Sequence, residues 1–331
     1  MPDYIDNSYA PISQNGSLSY IRGDGAHVTI RVEPGTMKMD SRELAPIPTL
    51  ATNHGLSENT KPITTTPTIA EGDVFDHPTI GGKVTVFVLL YGPAAYHDMH
   101  KKCLNAIIST IPAGRMDLRI GSNALCRESC EFVDKLVAAG TVSKHYRHAT
   151  NDKKYPVMRE MFNDPDHPIT TKWLLWFDDD TIADRHQRWC HLLLQQIIAG
   201  YDANCHMYGA KYIWTLQNGQ SQWMKSRPWY RGKPFRSANG KPVANGDKII
   251  FAAGGFWALS TEAMRVCDIP DANLGHNGGD YTIGEQLYQG GFELKAWNGQ
   301  KQFVHTSSVP RRGLSEQHVG TKPKLTHRIV T

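Results

Sequence analysis

The chain has 331 residues, enough for one large α/β domain or two smaller ones, and its 40% apolar content supplies a full core, which argues against a disordered or fibrous protein. Thirty-six Lys and Arg against 32 Asp and Glu give a net charge of +4, an excess that matters only where it clusters. No run reaches the roughly 18 apolar residues of a membrane span, and the opening MPDYIDNSYAPISQNG lacks the basic and apolar regions of a signal peptide, so a soluble cytoplasmic protein is expected.

Six cysteines (Cys103, Cys126, Cys130, Cys190, Cys205 and Cys267) form no CxxC and no paired zinc spacing, and are read as reduced, mostly buried thiols. Residues 1–80 are rich in Pro, Thr, Ser and Asn and hold one short alternating segment, HVTIRV from His27 to Val32, ahead of the linker-like TKPITTTPTIAEGD. A flexible leader and an extension draped over the main domain both fit this stretch, the second being preferred.

From Lys83 the pattern becomes one of alternating strands and helices. VTVFVLLYG (Val84–Gly92) is the continuous apolar run of a strand buried on both faces, and AAYHDMHKKCLNAIIST has helical spacing. MDLRIGSNA (Met116–Ala124) predicts a second strand, RESCEFVDKLVAAG a helix closed by Gly140, VSKHYRHATN a third strand and YPVMREMFND the next helix. WLLWFDDDTI is a strand running into three acids. RWCHLLLQQIIAG (helix), ANCHMYGAKYIW (strand), KIIFAAGGFWALSTEAMRVC (strand through a glycine pair into a helix), DYTIGEQLYQGG (helix) and FELKAWN (strand) follow. The expected architecture is an N-terminal extension over 1–80, a single α/β domain over 81–308 with a central, mostly parallel sheet flanked by helices, and a basic tail over 309–331. In such sheets ligands bind at the C-terminal ends of the strands.

The acids Asp178, Asp179 and Asp180 stand at such an end. Like charges in a row cost stability unless a cation meets them. Carboxylates on alternate residues of a strand share a side, so Asp178 and Asp180 can hold one ion while Asp179 faces away or caps the next helix. Hard oxygen donors suit Mg²⁺ or Mn²⁺ and leave places for phosphates. Helix capping by Asp179 and Asp180 is the plain alternative.

The order of the VTVFVLLYG strand, a second α/β unit and then WFDDD resembles the nucleotide-sugar-binding half of the GT-A glycosyltransferases, especially the inverting family-2-like enzymes, over roughly Lys83 to His305. The resemblance implies a GT-A-like domain, a nucleotide-sugar donor with a UDP-sugar favoured, and Mn²⁺ or Mg²⁺ held by Asp178, Asp180 and His305 of FVHTSS. It also implies that Asp280, in GHNGGDYTIGEQL, is the general base for the acceptor hydroxyl. Gly279 stands where those enzymes carry a first acid, and Glu285, one turn on, is kept as a partner for Asp280. Standing alone, Asp280 reads first as a helix N-cap and His305 as a structural histidine; their order and spacing after the acid triplet raise the catalytic reading. On the donor side, Leu90, Tyr91 and Gly92 end the first strand beside the nucleoside, Asn123 replaces the usual acid of the second strand, and Lys154 and Arg159 approach the diphosphate. Asp179 belongs to the same end. Gly254 and Gly255 let backbone approach the donor sugar, though a tight bend explains them as well.

Between Asp202 and Asp247 there is no acidic residue. WMKSRPWYRGKPFR places Trp223, Lys225, Arg227, Trp229, Tyr230, Arg231, Lys233 and Arg236 together, a cationic and aromatic mix of the kind that tracks phosphates and stacks on bases. The C-terminal PRRGLSEQHVGTKPKLTHR adds further cations. The expected acceptor is therefore DNA carrying a hydroxymethylated pyrimidine such as 5-hydroxymethylcytosine, the substrate type of phage DNA-modifying glycosyltransferases. Trp and Tyr also stack on sugar rings, which keeps a saccharide or cell-envelope acceptor open. Two other classes stay open: a metal-dependent nucleotidyltransferase, which uses paired carboxylates too, and a non-catalytic nucleic-acid-binding module.

Overall fold

The computed structural model describes residues 17–21, 27–31, 74–112, 114–184, 188–201, 203–216, 218–236, 247–275, 278–297 and 304–306. Two compact units divide the chain, Met1–Thr68 and Ile69–Thr331. In the first, β1 (Ser17–Ile21) and β2 (His27–Arg31) form an antiparallel ladder. The alternating segment seen in the sequence is β2, and its partner was not expected.

In the second unit, β3 (Val84–Tyr91), β4 (Met116–Asn123), β5 (Lys144–His148), β6 (Trp173–Asp178), β8 (Cys205–Thr215), β9 (Lys248–Ser260) and β10 (Glu293–Ala296) make one sheet in the order β10-β8-β9-β6-β3-β4-β5. All of its pairings are parallel except the two made by β9. The mostly parallel sheet is thus as the sequence implied. A small antiparallel ladder joins β7 (Thr181–Ala183) to β11 (Val304–Thr306).

Alternation along β3 sorts its side chains into two layers. Val84, Val86, Val88 and Leu90 join one core cluster, to which α1 (His97–Thr110), α2 (Arg127–Ala138) and α4 (Trp189–Tyr201) contribute. Phe87 and Leu89 join the other, covered by α3 (Lys154–Asn163), α6 (Thr261–Val266) and α7 (Gly279–Gly290). Because each β3 position is enclosed on one face or the other, no polar side of the strand is needed, and the sequence reads as an unbroken apolar run. Val74, Phe75 and Ile80 are buried in the first cluster, so the chain enters the core several residues before the strand begins.

Two local features differ from expectation. Gly254 and Gly255 lie inside β9, opposite a register shift between Gly209 and Lys211 of β8, so the glycine pair marks a bulge in a strand and not a strand-to-helix bend. The basic-aromatic stretch also contains a helix, α5 (Asn218–Lys225).

Candidate active site

The strand β6 stops at Asp178, and the two residues after it form a turn into β7. Strict alternation therefore reaches Asp178 but not Asp180, which is half-buried in the turn. Trp176 and Asp178, two apart, share the face covered by α3 and α7. Trp176 stacks on Trp257 with ring centroids 5.8 Å apart, and its indole Nε1 donates to Asp178 Oδ1 at 2.9 Å. The other oxygen of Asp178 accepts from Lys154 Nζ at 2.9 Å.

Lys154 opens α3, and its position is fixed from the end of β4. There the buried Asn123 accepts from the Asp152 amide at 2.7 Å and donates to Asn151 Oδ1 at 3.0 Å, shaping the loop that leads into the helix. The next residue, Tyr155, ties the helix start to the segment before α7, its amide donating to Gly275 O at 3.2 Å. Its hydroxyl donates to Asp280 Oδ1 at 2.8 Å. Lys154 Nζ also lies 3.8 Å from that oxygen, with the rings of Tyr155 and Trp176 5.7 Å and 5.8 Å away. One ammonium thus joins two carboxylates that are far apart in sequence. Burial raises the Asp178 carboxyl above its ordinary range; Lys154 opposes that shift and the charge of Asp280 adds to it.

Asp280 sits in the first turn of α7, behind Gly278 in the left-handed conformation (φ +81°). A Cβ on Gly279 would meet the Tyr155 ring at 1.9 Å. The place where the resemblance leads one to expect a first acid is therefore filled by an aromatic ring whose hydroxyl serves the second acid.

Asp179 points the other way, toward α1. It is 3% exposed; its Oδ2 accepts from the Tyr91 amide at 3.1 Å and lies 3.5 Å from His100 Nε2. This carboxylate fastens the end of β6 to the end of β3 and does not cap the next helix. His100 is held in turn by Ser129, 2.9 Å from Nδ1. The buried Cys103 thiol is pushed up by burial and then by the charges of Asp179, Asp180 and Asp178. Thr181, next along, donates its hydroxyl to Gly255 O at 2.8 Å, and a Cβ on Gly255 would meet the Thr181 Oγ1 at 2.8 Å, so the glycine allows the turn to approach β9.

Several other expected residues carry contacts within the fold. The Leu90 side chain is fully buried, and Gly92 (φ +110°) makes room for the Tyr96 ring, leaving Tyr91 as the half-buried residue of that strand end. Arg159 is spent on Pro270 O at 2.6 Å and Asp268 at 3.0 Å. Glu285 is buried away from Asp280, bonded to Gln289 Nε2 at 2.6 Å, and burial pushes its carboxyl up to about 8. The backbone of His305 pairs with Ile182, beside the acid turn, while its side chain lies outside the described residues. Tyr155, Trp176 and His100 are the groups the sequence reading missed; only Trp176, inside the acid-strand motif, carried any signal.

The basic-aromatic stretch departs most from expectation. Arg227 Nε and Trp229 Nε1 both bind Asp271 Oδ2, at 3.1 Å and 2.6 Å. Arg236 grips Glu293 through two bonds of 2.5 Å and 2.6 Å, and Lys225 lies 3.6 Å from Asp247. Lys233 donates to Tyr288 O at 3.1 Å, and the buried Gln289 accepts the amides of Arg231 and Lys233. Tyr230 packs on Phe235 with Trp223 nearby in the same small core. The acids absent from the local sequence arrive from α7's neighbourhood and β10, so most of these residues dock the stretch onto the domain, with Lys225 and Arg231 exposed. Arg227, Trp229 and Arg231 also line a cavity of about 290 Å³ with Asp268, Asp271 and Gln286. Lys241 and the basic tail over 309–331 lie outside the described residues.

Among the described residues, no group of three or more His, Cys, Asp or Glu is gathered as a metal site, and no helix is long and apolar enough to cross a membrane. No family model and no curated protein matches the chain. Solved structures with a similar course include a mannosyltransferase, PcManGT from Pyrobaculum calidifontis, in complex with GDP-Man and Mn²⁺ (11% identity, TM-score 0.44, 71% of this chain and 59% of that one). Others are S. aureus TarS (12% identity, TM-score 0.43, 71% of this chain and 38% of that one) and GalNAc-T7 with UDP, GalNAc and Mn²⁺ (14% identity, TM-score 0.44, 65% of this chain and 42% of that one). The chain spans less than two thirds of the length of each.

Proposed function

We propose that the chain is a nucleotide-sugar-dependent glycosyltransferase that inverts the anomeric centre, with Asp280 as general base. The observation that carries this reading is the convergence, at the C-terminal end of β6, of Asp178 and Asp280 around Lys154, with Asp280 set by the Tyr155 hydroxyl.

A sugar leaves a nucleoside diphosphate as an acceptor hydroxyl attacks from the opposite face, and that hydroxyl must lose its proton during attack. Asp280, 14% exposed at the start of a helix, has one oxygen held by Tyr155 and can take that proton on the other. Fixing the carboxylate this way orients it before substrate arrives. Lys154 supplies a positive charge at the same strand end, suited to the charge that develops on the departing diphosphate. The donors present fit a hard divalent ion in kind: carboxylate oxygens of Asp178 and Asp180 at an open strand end, with the backbone of His305 alongside. Mn²⁺ or Mg²⁺ bound there would add Lewis-acid stabilisation of the leaving group.

For the acceptor we favour a saccharide hydroxyl over the hydroxymethyl group of a DNA pyrimidine. The cations expected to track a DNA backbone are largely paired with Asp271, Glu293 and Asp247, and the half-buried Trp223, Trp229 and Tyr230 among them are of the kind that stacks on sugar rings as readily as on bases. Incubating the full chain and Mn²⁺ with a panel of nucleotide sugars, with and without oligosaccharides and hydroxymethylated DNA, tests this. Free nucleoside diphosphate and a product one sugar heavier are expected, both lost in Asp280→Asn. Release of pyrophosphate instead would move the chain to the nucleotidyltransferases, and a mass gain on DNA alone would restore the nucleic-acid acceptor.

A further inference from the structure

Both oxygens of Asp178 are already occupied by donors of the chain itself, Trp176 Nε1 and Lys154 Nζ, each at 2.9 Å. The Lys154 side chain is 8% exposed, bracketed by two carboxylates and two aromatic rings. Those surroundings favour a cation, and the chain fills the position with its own. A divalent ion that uses Asp178 meets this resident charge first.

We propose that Lys154 is a built-in counter-ion that competes with divalent cations for Asp178. Cation binding and withdrawal of the ammonium from Asp178 are then a single event. Two observations converge on it: the ion pair is short, and it is shielded from solvent. A lysine suits the role because its charge rides on a flexible four-carbon stem, whereas α3 and the Asn123 contacts hold its backbone still. In the resting protein the pair keeps Asp178 and Asp280 from facing each other as bare like charges. Weak binding of metal to the free protein follows, and the freed ammonium stays within the strand end where the diphosphate of a donor would lie. The inference rests on the reading of this site as a donor site only for that last step.

The test uses the full chain without nucleotide and follows free Mn²⁺ by electron paramagnetic resonance. Removing an opposite charge that competes for a carboxylate is worth about 1–3 decades, so Lys154→Met is expected to bind Mn²⁺ at least ~10-fold more tightly than the native chain. Lys154→Arg, which keeps the charge, is expected to stay weak, and the gain is expected to vanish in Lys154→Met combined with Asp178→Asn. A Lys154→Met protein no tighter than the native one, or a gain that survives without Asp178, overturns the proposal. A second measurement needs no variant: with Mg²⁺ added to the native chain, labelling of Lys154 by a small amine-reactive reagent, read by peptide mass spectrometry, is expected to rise severalfold. An unchanged rate overturns the proposal by itself. Absence of Mn²⁺ binding in every protein does so too, yet leaves glycosyl transfer to its own product assay.

Discussion

The acid end of β6 and the basic stretch from Trp223 to Arg236 are both conspicuous in sequence, and they are built on opposite plans. At β6 the charges converge: Asp178 and Asp280 meet over Lys154, and their remaining bonds come from Trp176 and Tyr155. In the basic stretch the charges disperse, with Arg227 going to Asp271, Arg236 to Glu293 and Lys225 toward Asp247. A run of like charge points to a ligand only where the charges stay together in space. Where each finds an opposite charge from elsewhere in the chain, the run is part of the scaffold.

The largest effect that would break this contrast is loss of the proposed glycosyl transfer at the converging end. Asp280→Asn should lower glycosyl transfer by ~10²–10⁴-fold, the usual range for a general base, with donor binding kept. Tyr155→Phe leaves the carboxylate in place but unpositioned, so kcat should fall by about tenfold while KM holds. Equal losses in the two variants would mean that the tyrosine takes part in the chemistry itself.

Next comes packing at the same site. Gly279→Ala puts a methyl into the Tyr155 ring, a clash that small rotations cannot relieve at 1.9 Å. Overpacking of this kind typically costs about 1–3 kcal/mol. Thermal unfolding of Gly279→Ala should show that loss, and in a double-mutant cycle Gly279→Ala should cost much less on a Tyr155→Ala background than in the native chain, because the two residues share one volume.

The same pair shows where sequence reading stops. The β3 run, the acid end of β6 and the opening of α7 were legible because each is a local pattern: continuous burial, a strand meeting acids, and glycines before a helical period. The missing first acid at Gly279 was visible too, but its reason was not, since Tyr155 looks like any apolar-face residue of an amphipathic helix. Asn123 read as a weakened nucleoside contact because its partners, Asn151 and Asp152, lie beyond the next strand. The pairing of the basic stretch was hidden for the same reason. Asp271 and Glu293 are more than 40 residues from Arg227 and Arg236, and only the folded chain brings them together.

Glu285 sharpens the comparison through pH. It is 1% exposed, and burial holds its carboxyl near 8 against an ordinary value of 4.5. The fold therefore keeps a proton that the unfolded chain releases. Stability should be greatest below about pH 4.5 for this group and should decline as the pH rises toward 8. Glu285→Gln removes the titration, so denaturant unfolding should find the variant within about 1 kcal/mol of the native chain at pH 5 and more stable by roughly 4 kcal/mol at pH 8. A flat difference across that range would place the charge of Glu285 on the nearby cations Lys233 and Arg236 and make it a member of the dispersed set.

The smallest effect tests the dispersed plan directly. The Arg236 and Glu293 side chains are 31% and 40% exposed, so their bidentate pair should contribute only ~0.5–1 kcal/mol in a double-mutant cycle, and less in high salt. Arg231, exposed and in no ion pair among the described residues, should give Arg231→Ala no measurable change in unfolding. The two substitutions should separate again in binding. If an anionic polymer docks here, Arg231→Ala weakens it and lowers its salt dependence by about one charge, whereas Arg236→Ala leaves the salt slope alone, because a guanidinium already neutralised by Glu293 has little counterion to release. Equal slopes in the two variants would show that the pair opens for a ligand, and the basic stretch would then belong with the acid end of β6 as a binding surface.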